Sequence, residues 1–144
     1  MISIAVCDDN EITAQEISEK VKQCCPIEAE VSVFYHIKDI LFSIHNENKL
    51  FDIIFMDIEF DVSSGIEASK QINAWHPDCQ IIYITNYTNY FTSVYETSHI
   101  YYILKKDIDT YLSTALKKAI QQIAKITQYY LIIQSKQQHI RIAQ

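Results

Sequence analysis

The sequence predicts an α/β fold, a parallel sheet covered on both faces by helices, on two observations. Short apolar runs of four to six residues alternate with longer stretches whose apolar residues recur at three- and four-residue steps. Four of these runs end in a polar residue: Ile2 to Cys7 in Asp8-Asp9, Phe51 to Met56 in Asp57, Ile81 to Ile84 in Thr85, and Ile100 to Leu104 in Lys105. Runs so rich in Ile, Phe, Tyr and Val read as strands buried on both faces, the pattern of parallel sheets. In such sheets ligands bind beyond the carboxyl ends of the strands, so the four polar termini are expected to form one composite site.

Each element follows in turn. After the first strand, Asn10 is suited to cap a helix carrying Thr13, Ile17, Val21 and Cys24 on one face, with Pro26 beyond its end. A second strand is expected at Val31 to Tyr35. Ile37, Ile40, Leu41 and Ile44 then mark an amphipathic helix leading to the strand that ends at Asp57. Gly65 opens a third helix with Ala68, Ile72 and Trp75, closed by His76-Pro77 before a fourth strand at Gln80 to Ile84. A short, weakly patterned helix is expected near Asn89 to Tyr95, and a long one after the fifth strand, with Leu112, Leu116, Ala119, Ile123 and Ile126 in register. Five βα units with right-handed crossovers make a five-stranded parallel sheet. Tyr130 to Gln134 and His139 to Ile142 read as two further short strands, so residues 129–144 are expected to be a linker and the opening of a second, truncated domain.

Composition bounds the function. With 144 residues, 49% of them apolar and 21% charged, one soluble core-forming domain is expected. The net charge of -6 argues against nucleic-acid binding by this segment, which needs clustered Lys and Arg. No apolar run nears the ~20 residues that span a bilayer, and no basic leader precedes the first strand, so a cytoplasmic location without membrane contact is expected. Cys7, Cys24, Cys25 and Cys79 have no metal or redox spacing and read as reduced thiols. The five histidines are scattered. Gly65 is the only glycine, which excludes dinucleotide fingerprints and P-loops, since both need several.

The composite site has its own chemistry. Two carboxylates about 4 Å apart repel by roughly 4 kcal/mol at an effective dielectric near 20. Asp8, Asp9 and Asp57 on one sheet edge therefore need raised pKa values or a cation, and Mg2+, which keeps waters and binds phosphate oxygens, suits them best. An aspartate can also be a nucleophile toward phosphorus. Asp57, ending the central strand, is assigned that role, with Asp8 and Asp9 as the metal pair. Lys105 can neutralise charge on the equatorial phosphoryl oxygens and Thr85 can donate to one of them.

These residues resemble the receiver domain of bacterial two-component response regulators over residues 1–128. Ala5-Val6-Cys7-Asp8-Asp9-Asn10 is similar to the family's acidic first turn, Ile53-Ile54-Phe55-Met56-Asp57-Ile58-Glu59 to its phosphoacceptor strand, and Tyr102-Ile103-Leu104-Lys105 to its fifth strand. The resemblance implies a flavodoxin-like, doubly wound fold and a phosphoaccepting signalling role, not an enzyme. By that resemblance Asp57 takes a phosphoryl group from a sensor histidine kinase, and the Glu59 backbone carbonyl joins Asp8, Asp9 and Asp57 around Mg2+. Thr85 and Tyr102 would form the switch. The tail, Tyr130-Leu131-Ile132-Ile133-Gln134 and His139-Ile140-Arg141-Ile142, resembles the first strands of a LytTR-type DNA-binding domain, implying a transcriptional regulator whose DNA contacts lie in the missing domain. Tyr87, Tyr90, Phe91, Tyr95 and Tyr101 concentrate aromatic area near the fourth helix, fifth strand and fifth helix, where a homodimer contact is expected.

The chain departs from the family in three ways. Asp61 and Lys106 stand where prolines are usual, so the Lys105-Lys106 bond is either trans or strained. Asn86-Tyr87 follow Thr85 where smaller or charged residues are frequent, and slow dephosphorylation is expected. Two other readings stay open: a pseudo-receiver that binds partners without phosphorylation, and a Mg2+-dependent aspartyl phosphatase. Haloacid-dehalogenase-type enzymes place a second aspartate where this chain has Glu59.

Overall fold

A computed structural model of the chain describes residues 1–59, 64–86 and 93–143, with side chains as far as residue 139. Five strands, β1 (Ile2–Cys7), β2 (Ala29–Phe34), β3 (Ile53–Asp57), β4 (Gln80–Thr85) and β5 (Tyr101–Leu104), pair in parallel in the order β2-β1-β3-β4-β5. Among the described residues four α-helices connect or follow them: α1 (Glu11–Cys24), α2 (Ile37–His45), α3 (Gly65–Trp75) and α4 (Ile108–Ala143). This is the covered parallel sheet that the alternating pattern predicts, in the doubly wound, flavodoxin-like form that the resemblance implies. Its strand order reverses between β1 and β3, and that crevice separates Asp8 from Asp57.

Although β3 and β4 are buried at every position, their side chains still alternate between two cores. Ala5, Cys7, Ile54, Met56, Ile81 and Tyr83 pack on one face with Ile40 and Ile44 of α2 and Ile72 of α3. Ile4, Val6, Phe55, Ile82, Ile84 and Ile103 pack on the other with Ile17 and Val21 of α1 and Leu112, Leu116 and Ala119 of α4. Sandwiching the sheet in this way leaves its carboxyl edge as the place where polar side chains can emerge.

Local signals set the helix limits. Asn10 Oδ1 accepts from the Thr13 amide at 3.0 Å and caps α1, as expected, and Ser64 Oγ caps α3 by accepting from the Ile66 amide at 3.1 Å. Pro26 and Pro77 follow the ends of α1 and α3. Strand limits shift by one or two residues from the sequence reading, most at β2, which begins at Ala29 and ends at Phe34.

Two expectations need correction. The tail is helical: α4 runs unbroken for 36 residues, so the strands expected at Tyr130 to Gln134 and His139 to Ile142 are absent. From Asp78 onward the chain has neither Gly nor Pro, and a helix already nucleated gains one hydrogen bond for each residue added. The helix expected at Asn89 to Tyr95 lies mostly outside the described residues, and its described end forms a single 3-10 turn, Ser93–Glu96. Asp61, Tyr87, Tyr90 and Phe91 also lie outside them. The Lys105-Lys106 bond is trans, within a short 3-10 turn, Lys105–Asp107. Among the described residues no helix is long and apolar enough to cross a membrane.

Candidate functional site

β1 ends by turning Asp8 inward, with a side chain only 1% exposed, and β3 does the same with Asp57, at 5%. Asp9 remains exposed beside them. Ligand oxygens from Asp8, Asp9 and Asp57 all lie within 4.8 Å of one another, so the predicted carboxylate cluster forms. Thr85 ends β4 fully buried, and Lys105 follows β5 with most of its side chain covered. All five line one cleft of about 570 Å³. Tyr102 is placed differently: it is half-buried on β5, against the α2/α3 core, and does not line that cleft.

Backbone amides hold the acids in place. The Asn10 amide donates to Asp8 Oδ1 at 2.9 Å, and the Glu59 amide donates to Asp57 Oδ1 at 3.2 Å. The second oxygens face the cation: Lys105 Nζ lies 2.7 Å from Asp8 Oδ2 and 3.2 Å from Asp57 Oδ2. The contact to Asp57 is a hydrogen bond, while the shorter one to Asp8 is poorly aligned and acts as an ion pair. Burial pushes the Asp57 carboxyl up to about 6, with the Lys105 charge opposing and the Asp8 charge adding. Burial alone would lower Lys105, but its 2.7 Å contact with Asp8 and the two carboxylate charges outweigh it and leave its pKa raised.

The donor set fits a hard divalent cation. Three carboxylates converge, and buried Asp8 Oδ2 lacks an aligned hydrogen bond, so oxygen lone pairs are available that one lysine does not saturate. Gly65 closes the other side of Asp57. A Cβ on it would stand 2.1 Å from the Asp57 carbonyl oxygen, and its amide donates to the Ile58 carbonyl at 2.8 Å. Side-chain absence at Gly65 therefore lets α3 begin directly against the end of β3. Positive φ plays no part, since Gly65 does not adopt it.

Sequence reasoning missed several lining residues. Thr13, Glu16 and Lys20 of α1 reach the cleft, beside Asn86 and Lys106, which the sequence had already placed next to Thr85 and Lys105. The signal for the first three was the spacing: Asp9, Thr13, Glu16 and Lys20 succeed one another by four, three and four residues, one stripe of a helix. Lys20 is tied to Asp109 across α1 and α4 at 2.6 Å.

Comparison with known proteins agrees with this geometry. The family model described as the response regulator receiver domain matches residues 4–129. An uncharacterised response regulatory protein of Vibrio cholerae is 30% identical over 74 residues, covering 51% of this chain and 28% of that protein. The chain thus spans well under half the length of this curated relative. Among solved structures, the response regulator TrrA from Thermotoga maritima in complex with Mg2+-BeF is 23% identical, with a TM-score of 0.71 over 83% of this chain and 99% of that one. The BeF3-activated DrrB receiver domain of Thermotoga maritima is also 23% identical, with a TM-score of 0.69 over 84% of this chain and 98% of that one. At such identity the two structures show a shared fold.

Proposed function

We propose, from the premise that the chain belongs to the response regulator receiver domain family, that it accepts a phosphoryl group on Asp57 from a sensor histidine kinase. The observation that carries this reading is the placement of Asp57 on the cleft floor, with Asp8 and Asp9 within 4.8 Å and Lys105 at 3.2 Å. An Asp57 carboxylate oxygen attacks phosphorus, a new P–O bond forms, and the bond to the donor's leaving atom breaks with its electron pair. Lys105 stays beside the product and balances charge on the phosphoryl oxygens. Mg2+, held by the Asp8, Asp9 and Asp57 carboxylates with the Glu59 carbonyl, would supply further charge neutralisation to those oxygens. Thr85, buried on the neighbouring strand end, would donate its hydroxyl to one of them and carry the switch together with Tyr102.

The decisive measurement is intact mass after incubation with Mg2+ and acetyl phosphate. The wild type should gain one phosphoryl group and Asp57→Asn none. An unmodified wild type would favour the pseudo-receiver reading, and steady phosphate release from many monoesters would favour a phosphatase.

Two finer parts of the proposal concern output. A homodimer through β5, the start of α4 and the preceding segment is supported by Tyr95, 82% exposed, and by half-buried Tyr101 beneath Lys118. Sedimentation that does not change on adding Mg2+ and fluoroberyllate would count against it. DNA binding and transcriptional control would belong to a domain beyond this segment. Support for them is the sequence resemblance of the tail alone, because the tail is helical in this structure. Failure of the full-length protein to bind DNA would remove that part.

A further inference from the structure

The acceptor cleft is lined by five carboxylates, Asp8, Asp9, Glu16, Asp57 and Glu59, against three ammonium groups, Lys20, Lys105 and Lys106. Two of the three cations are engaged. Lys20 is paired with Asp109 at 2.6 Å, and Lys105 is shared between Asp8 and Asp57. Lys106 is exposed on the rim and has no ion pair among the described residues. It follows Lys105 in the short 3-10 turn with a trans bond between them, so adjacent residues offer one cation at depth and one at the mouth.

In-line transfer fixes what the mouth must receive. The attacking Asp57 oxygen lies on the floor, so the leaving group stands opposite it and points outward. The leaving group gains negative charge only as its bond to phosphorus breaks, and a cation at the mouth stabilises that developing charge. We propose that Lys106 is a specificity-determining residue for small phosphodonors, and that it favours those whose leaving group departs as a carboxylate. This rests on the receiver reading above. With acetyl phosphate, the Asp57 carboxylate forms the new bond to phosphorus, the bond from phosphorus to the acyl oxygen breaks, and its electron pair leaves on acetate. Lys106 faces that developing carboxylate. Phosphoramidate instead loses ammonia and gives Lys106 no anion to hold.

The test compares the wild type, Lys106→Ala and Lys106→Arg in Mg2+, each with acetyl phosphate and with phosphoramidate, reading the second-order rate of Asp57 modification by intact mass. Lys106→Ala should slow acetyl phosphate about two- to fivefold, as one exposed ion pair would, and Lys106→Arg should restore the rate. Phosphoramidate should change less, and added salt should erase the wild-type advantage with acetyl phosphate. An unchanged acetyl phosphate rate, or equal losses with both donors, overturns the inference about Lys106 while leaving the acceptor assignment standing. A wild type that neither donor modifies overturns both.

Discussion

Lys105 Nζ stands nearer to Asp8, at 2.7 Å, than to the acceptor Asp57, at 3.2 Å. One ammonium therefore restrains Asp8 and Asp57 together. Removing it leaves two buried carboxylates facing each other without a counter-charge, which costs more than an ordinary surface pair.

The first prediction follows from that contact. Lys105→Met should destabilise the metal-free protein by about 1 to 3 kcal/mol, less than a fully enclosed pair would, because the cleft is open to water. Mg2+ should recover more stability in this variant than in the wild type. Thermal melts with and without Mg2+ give both numbers, and an equal Mg2+ response in the two proteins would contradict the shared restraint.

Asp57 sets a pH dependence. Its carboxyl rises from an ordinary value of 3.8 to about 6 in the fold, chiefly through burial. Below 3.8 it is protonated in both folded and unfolded chains; as pH climbs through 6, the fold must hold a charge it disfavours, and stability falls. In chelator, the wild type should therefore lose up to about 3 kcal/mol relative to Asp57→Asn between pH 4 and pH 7.5, from two pKa units at ~1.4 kcal/mol each. Urea melts of both proteins across that range isolate this group, and parallel curves would refute the shift.

Gly65 gives a steric prediction whose sign is decided by two opposed effects. Alanine is the better helix former by up to about 1 kcal/mol. Its Cβ, however, would stand 2.1 Å from the Asp57 carbonyl oxygen, and overpacking of this kind costs about 1 to 3 kcal/mol. Gly65→Ala should lower the melting temperature and slow Asp57 phosphorylation, and a variant that melts and reacts as the wild type does would contradict the steric argument.

Asn86 borders the same cleft and is exposed. It is placed to restrict the water that would attack a phosphorylated Asp57, so the phosphoryl group should persist for minutes or longer. A half-life in seconds by phosphate release would contradict this, and Asn86→Ala should shorten the wild-type value.

The five strands and the carboxylate cluster at their ends were legible because both rest on short-range patterns. Ile53 to Met56 is apolar throughout and Asp57 is the first polar residue after it, so a buried strand and its emerging end are written side by side. The last 15 or so residues were not legible in the same way. Tyr130 to Ile133 carries β-branched and aromatic side chains that favour strands locally, yet those preferences are weaker than the cooperativity of a helix that meets no breaker after Ile108. The role of Gly65 was hidden for a third reason. Its helix start was visible in sequence, but contact with Asp57 depends on how closely α3 approaches β3, which no local pattern records.

The missing Cβ at Gly65 also gives the site a mechanical direction. Behind Asp57 the start of α3 comes so near that even a Cβ on Gly65 would overlap its carbonyl oxygen, which leaves the end of β3 little room to recoil that way. Charge and volume added to its carboxylate would be taken up in front, where Thr85 ends the adjacent β4 and Lys105 follows β5. A stiff back and a yielding front turn an isotropic push into a one-sided displacement.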